Sequence, residues 1–94
     1  MPYETQRRAP RDSVFLLAAL RFENLEAEYT VRVRNLSATG LMADGDISVS
    51  PGSIVTINLR NIGWVKGCVS WTKGKRFGVT LINEIDPRKV RYLV

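Results

Sequence analysis

The sequence contains no histidine. That removes the side chain most often used as a general base, a nucleophile activator or a metal ligand near neutral pH. It has one cysteine, Cys68, so no intrachain disulfide can form and no zinc cluster can be built from soft ligands. Long apolar runs are also missing. The longest, Val14 to Leu20, falls far short of the roughly 18 residues of a membrane span, and no span is expected. The opening segment MPYETQRRAPRD lacks the apolar stretch of a secretory signal, which with the cysteine usage gives a cytoplasmic location as the expectation. Asp44 and Asp46 stand close together but lack the further oxygen ligands and terminal glutamate of a calcium loop, and read as a polar turn. Nothing in this inventory calls for a metal or a cofactor, and the chain is not expected to be an enzyme.

What is present is enough for one domain with one core: 94 residues, 45% of them hydrophobic. The formal net charge of +5 favours an anionic partner, because a positive field steers and holds phosphates. Residues 1–12 are polar, basic and proline-bearing and read as a flexible tail. From Ser13 strand signals follow one another. The continuous apolar run Val14 to Leu20 suits a strand buried on both faces or bent across a barrel, and a buried helix turn would read the same way. Tyr29, Val31 and Val33 alternate with Thr30, Arg32 and Arg34, the period of a half-buried strand. Leu41 to Ala43 is a short strand at most. Val55, Ile57 and Leu59 form one face of the next strand, and Val65, Val69 and Trp71 one face of its successor after a turn at Asn61 to Gly63. Thr72-Lys73-Gly74-Lys75 signals a hairpin, after which Phe77, Val79 and Leu81 share a face. Asp86-Pro87 reads as an N-cap and first position of a short helix. About six short, turn-linked strands favour a closed barrel or a sandwich over 13–83, with a short C-terminal helical segment at 84–94, all in a single domain of 1–94.

Two short patterns stand out. Arg7-Arg8-Ala9-Pro10-Arg11 places two arginines four apart in the basic tail, and Asn35-Leu36-Ser37-Ala38-Thr39-Gly40 directly follows an alternating strand. Each alone has an ordinary explanation, as a solvated tail and as a strand end rich in turn formers. In this order they resemble the signature of the PilZ domain family, an RxxxR before the first barrel strand and a (D/N)xSxxG at the end of the second. Cys68-Val69-Ser70-Trp71 followed by Arg76-Phe77-Gly78-Val79 is similar to the later strand pair of that family. At the positions between Ser37 and Gly40, where many members carry another glycine, this chain has Ala38 and Thr39.

The resemblance implies a six-stranded antiparallel PilZ-type β-barrel that binds cyclic dimeric GMP (cyclic di-GMP), the bacterial second messenger. Residue chemistry agrees. A guanidinium can pair with guanine O6 and N7 or with phosphate and can stack on a base, which suits Arg7 and Arg11 as a clamp with Arg8 as an auxiliary. Asn35 offers both a carbonyl and an amide to a guanine edge. Ser37 offers a hydroxyl on the same side if strand geometry continues, and Gly40 permits positive φ or close backbone approach. Within the resemblance Gln6, just before RxxxR, bears on whether one ligand or an intercalated pair is held. Trp64, Trp71 and Phe77 read as core or barrel-face residues rather than stacking platforms.

Three functions compete. The first is a receptor that folds its basic tail over the barrel when the ligand binds and so presents a changed surface to a downstream protein partner, as a monomer or a ligand-dependent dimer. The second is a degenerate interaction module of the same family that binds no nucleotide. The third is a single-stranded nucleic-acid binder; it is disfavoured because Glu23, Glu26 and Glu28 interrupt any basic stripe and the aromatics fall mostly on core positions.

Overall fold

The computed structural model describes residues 12–91. Six strands, β1 (Asp12–Phe22), β2 (Tyr29–Leu36), β3 (Gly40–Asp44), β4 (Ile54–Leu59), β5 (Gly63–Lys73) and β6 (Arg76–Leu81), are followed by a single helical turn, α1 (Arg88–Arg91). The strands close into an antiparallel barrel in the order β1-β2-β3-β6-β5-β4. The barrel therefore consists of two consecutive meanders, β1-β2-β3 and β4-β5-β6, joined along two seams. One seam pairs Ala19–Phe22 of β1 with Val55–Asn58 of β4. The other pairs Gly40–Asp44 of β3 with Arg76–Thr80 of β6.

Alternation explains which residues point inward. Val31 and Val33 of β2, Val55, Ile57 and Leu59 of β4, and Phe77, Val79 and Leu81 of β6 are all buried, each on the face that its pattern assigns. Strand β1 departs from expectation. Its apolar run is not buried on both faces: Leu16, Ala18 and Leu20 point into the core, while Phe15 and Leu17 are 70% and 64% exposed. The barrel is closed, and among the described residues no second layer covers β1, so the pleat sends alternate apolar residues outward. A second departure lies in β5. A register shift between Val69 and Trp71 breaks the expected Val65–Val69–Trp71 face, leaving Val69 buried and Trp71 40% exposed on the outside. An extra residue in one strand of a pair reverses the faces beyond it.

The chain after β6 closes one end of the barrel. The Asp86 carboxylate accepts from the Arg88 backbone N–H at 3.0 Å and pairs with its guanidinium, an N-cap with Pro87 just inside. The Arg88 hydrogen bond first, and the cationic neighbours after it, hold the Asp86 carboxyl below its ordinary value. So capped, α1 directs Val90 into the core, against which Ile62 and Ile85 also pack. Asn61, itself at φ 68° in the β4–β5 turn, donates its side-chain amide to the Lys89 carbonyl.

Candidate functional site

The Asn35–Gly40 segment links β2 to β3 by a turn that is fixed from within. Ser37 is buried, and its backbone N–H donates to the Gly40 carbonyl at 2.8 Å. Its hydroxyl donates to the same carbonyl at 3.2 Å and accepts from the N–H groups of Gly40 (3.2 Å) and Thr39 (3.3 Å). One hydroxyl carries one proton. The Ser37 proton is therefore engaged in building the turn, and the residue acts on its surroundings through the backbone that it shapes. Gly40 is not among the residues with positive φ; the reason for glycine is close approach. A Cβ there would stand 2.7 Å from the Val79 carbonyl oxygen, so a side chain would push β3 away from β6. From outside, the Leu81 N–H donates to the Thr39 carbonyl at 2.8 Å and the Ile85 N–H to the Ala38 carbonyl at 3.0 Å. The turn is thus clamped between its own serine and the chain that leaves β6.

Register places the turn at one end of a row that crosses the barrel wall. Asn35 pairs with Ser13 on β1 and with Met42 on β3, Met42 with Gly78 on β6, and Gly78 with Trp71 on β5. Directly opposed residues of antiparallel strands share a face. Asn35 and Met42 are half-buried. Gly78 has no side chain, and the Trp71 indole covers its place: a Cβ on Gly78 would overlap the ring. The outer wall beside the turn is therefore a shallow, smooth floor of Met42 and Trp71 with the amide of Asn35 along one margin. Sequence reasoning assigned Trp71 no part in such a surface. The signal was present, since counting back from the Gly74 hairpin opposes Trp71 and Gly78, but the shift at Val69 to Trp71 hides which way the indole points.

A charged cluster adjoins this floor. Asp44 at the end of β3 accepts from Arg32 Nε at 2.8 Å and from Arg34 Nη1 at 2.7 Å. Its side chain is only 8% exposed, whereas both guanidiniums are about half-exposed. The Arg32 hydrogen bond is the main reason that its carboxyl lies below the ordinary value of 3.8; burial opposes this, and the charges of Arg32 and Arg34 add to it. Asp44 is thus a strand residue tied into the wall and not part of the polar turn expected at 44–46, where exposed Asp46 pairs with Lys75 across 3.3 Å. Among the described residues no group of His, Cys, Asp or Glu is placed to hold a metal ion, and no helix is long and apolar enough to cross a membrane.

Of the residues singled out in the sequence, Asn35, Ser37 and Gly40 come together at this turn. Gln6, Arg7, Arg8 and Arg11 lie outside the described residues. The described chain starts at Asp12, which pairs with Leu36, and continues with Ser13, which pairs with Asn35, so the basic segment joins the barrel beside the turn. Trp64 lies elsewhere, on the outer face of β5, with the Arg21 guanidinium 4.7 Å from its ring centroid. Two concavities, of about 280 and 330 Å³, flank Lys66 near that tryptophan and include no residue of the turn. The chain matches the family model described as PilZ domain over residues 5–94. No curated protein matches it.

Proposed function

The chain belongs to the PilZ domain family, and from that premise we propose that it is a receptor for cyclic di-GMP that binds on the wall around the Asn35–Gly40 turn and relays occupancy to a protein partner. The family supplies the ligand class; its domains are ligand-binding adaptors rather than catalysts. The single observation that carries the reading is the pairing of Asp12 and Ser13 with Leu36 and Asn35, because it joins the arginine-bearing segment to the barrel at the very turn that bears the second half of the signature.

The roles follow from chemistry. Arg7 and Arg11 provide planar cationic forks for guanine O6 and N7 or for the two phosphodiesters, with Arg8 beside them. Asn35 meets a polar guanine edge from the barrel side. Ser37 and Gly40 hold the turn so that its backbone and Asn35 are presented in one geometry, which lowers the ordering cost of binding. Met42 and Trp71 offer an apolar floor against which a base can lie. Gln6 takes part in setting whether one nucleotide or an intercalated pair is held.

Calorimetric titration with cyclic di-GMP, of the natural chain and of Arg11→Ala, tests the reading. Saturable binding that weakens by about 1.5–3 kcal/mol in the variant, the range for a hydrogen bond to a charged group, is the expected result. No heat in the natural chain would make it a nucleotide-free interaction module of the family. Equal competition by an RNA oligonucleotide would make it a general binder of nucleic acid.

A further inference from the structure

Phe15 and Leu17 are the most exposed large apolar side chains of the barrel wall, at 70% and 64%. They are successive outward residues of β1, so they stand on one face. Leu17 is paired across the sheet with Arg32, and the Arg34 guanidinium lies 5.8 Å from the Phe15 ring centroid. Two aliphatic and aromatic surfaces are therefore framed by two guanidiniums. Among the described residues Asp44 is the one carboxylate in ion-pair reach of either, so the frame retains a positive excess. An apolar centre with an arginine rim is the composition of a protein interface.

We propose that the outer face of β1 and β2 is the docking surface for a protein segment that carries apolar side chains interleaved with carboxylates. β2 is paired on both sides from Arg32 to Leu36, so a partner reaches Arg32 and Arg34 across the face of the sheet and not along a strand edge. A second copy is the wrong occupant: a two-fold contact would set Arg32 and Arg34 of one copy against the same patch of the other, like charge against like. A carboxylate-bearing segment meets that excess. Asp44 accepts from both guanidiniums, at 2.8 and 2.7 Å, which fixes their directions in advance. Such fixed forks favour the paired oxygens of a carboxylate over the disordered charge of a lipid surface. Docking stands apart from the nucleotide reading; its control by the nucleotide rests on that reading, through the contiguity of Arg34 with Asn35 and of β1 with the basic segment.

The test is an NMR titration of the full 94-residue chain with a short capped peptide of alternating leucine and glutamate, and with its lysine counterpart. Saturable shifts centred on Phe15, Leu17, Arg32 and Arg34 are expected for the glutamate peptide alone. Phe15→Ser with Leu17→Ser, both outside the core, is expected to weaken it by about tenfold or more, and Arg34→Gln to lower it with a reduced salt dependence. Equal binding of the lysine peptide, shifts centred instead on Trp64, or wild-type affinity in the serine variant each overturns the proposal. So does binding of phosphatidylglycerol vesicles through Phe15 and Leu17 with no peptide binding, or a dimer in sedimentation that the serine variant abolishes. A last arm repeats the peptide titration with cyclic di-GMP present. A peptide affinity that the bound nucleotide leaves unchanged removes the control but not the surface, and a nucleotide that does not bind removes the receptor reading alone.

Discussion

The two meanders of the barrel are built by different means. In β4-β5-β6 inward residues are apolar, and alternation carries most of the order: Val55, Ile57, Leu59, Val69, Phe77, Val79 and Leu81 are buried. The β1-β2-β3 meander has that core too, but adds a buried serine, a nearly buried aspartate held by two arginines and a second register shift where the other meander has one. It also leaves phenylalanine and leucine on the outside. Packing without polar obligations specifies a wall and little else. Polar groups that must be satisfied in one geometry specify where a turn and its side chains lie, and they gather in the half that carries the candidate site.

The largest effect expected from breaking this comparison falls on the apolar half. Phe77→Ala should cost about 3–5 kcal/mol, measured by denaturant unfolding, and should lower protection from amide exchange in both meanders alike, because the core is shared. A loss confined to β4-β5-β6 would mean that the halves are energetically separate. Gly40→Ala forces a methyl against the Val79 carbonyl and should cost about 1–3 kcal/mol, opening the β3–β6 seam so that exchange speeds first at the amides between those strands. Ser37→Ala strips the turn of its internal acceptor and should cost about 1–3 kcal/mol if the Gly40 N–H is left without a partner. Its distinguishing sign is weakened nucleotide binding with Asn35 intact.

Asp44→Asn sharpens the contrast by pH. The folded carboxyl titrates below its ordinary value of 3.8, so its stabilisation is complete above that value and is lost as pH falls below it. Removing one of its charged hydrogen bonds should cost about 1–2 kcal/mol at neutral pH, since the half-exposed arginines can regain water. The gap between variant and natural chain should close as pH drops through the region below 3.8. A gap that is constant with pH would show that the carboxylate charge contributes nothing. The smallest effect is expected at Glu28→Ala, which removes the exposed pair with Arg21. Surface pairs of this kind contribute about 0–1 kcal/mol, and thermal unfolding should barely shift.

Legibility in the sequence follows the same division. The faces of β2, β4 and β6 could be read because alternation with one buried side leaves a single register. The C-terminal cap could be read because Asp86 supplies an N-cap acceptor and Pro87 a φ already suited to the first helical position. In β1 the apolar run concealed an ordinary pleat, since hydrophobicity on an exposed face looks the same in sequence as hydrophobicity inside. The outward turn of Trp71 was concealed by one added residue. The Asn35–Gly40 turn was visible as a pattern, but the inward use of the Ser37 hydroxyl was not, because a donor to a ligand and a donor to the backbone are the same residue type.

The two seams carry a kinetic consequence. Each meander pairs neighbours in the chain and needs only short loops to form. The contacts of Ala19–Phe22 with Val55–Asn58, and of Gly40–Asp44 with Arg76–Thr80, join segments that are distant along the chain and must close together, because a barrel with one seam open leaves the edges of two strands bare. Loop-closure entropy is lost before those contacts form. Refolding should therefore be governed by the joining of two preformed half-walls, on the millisecond-to-second scale of non-local β architectures, with substitutions at the seams slowing folding more than equal losses of stability within either meander.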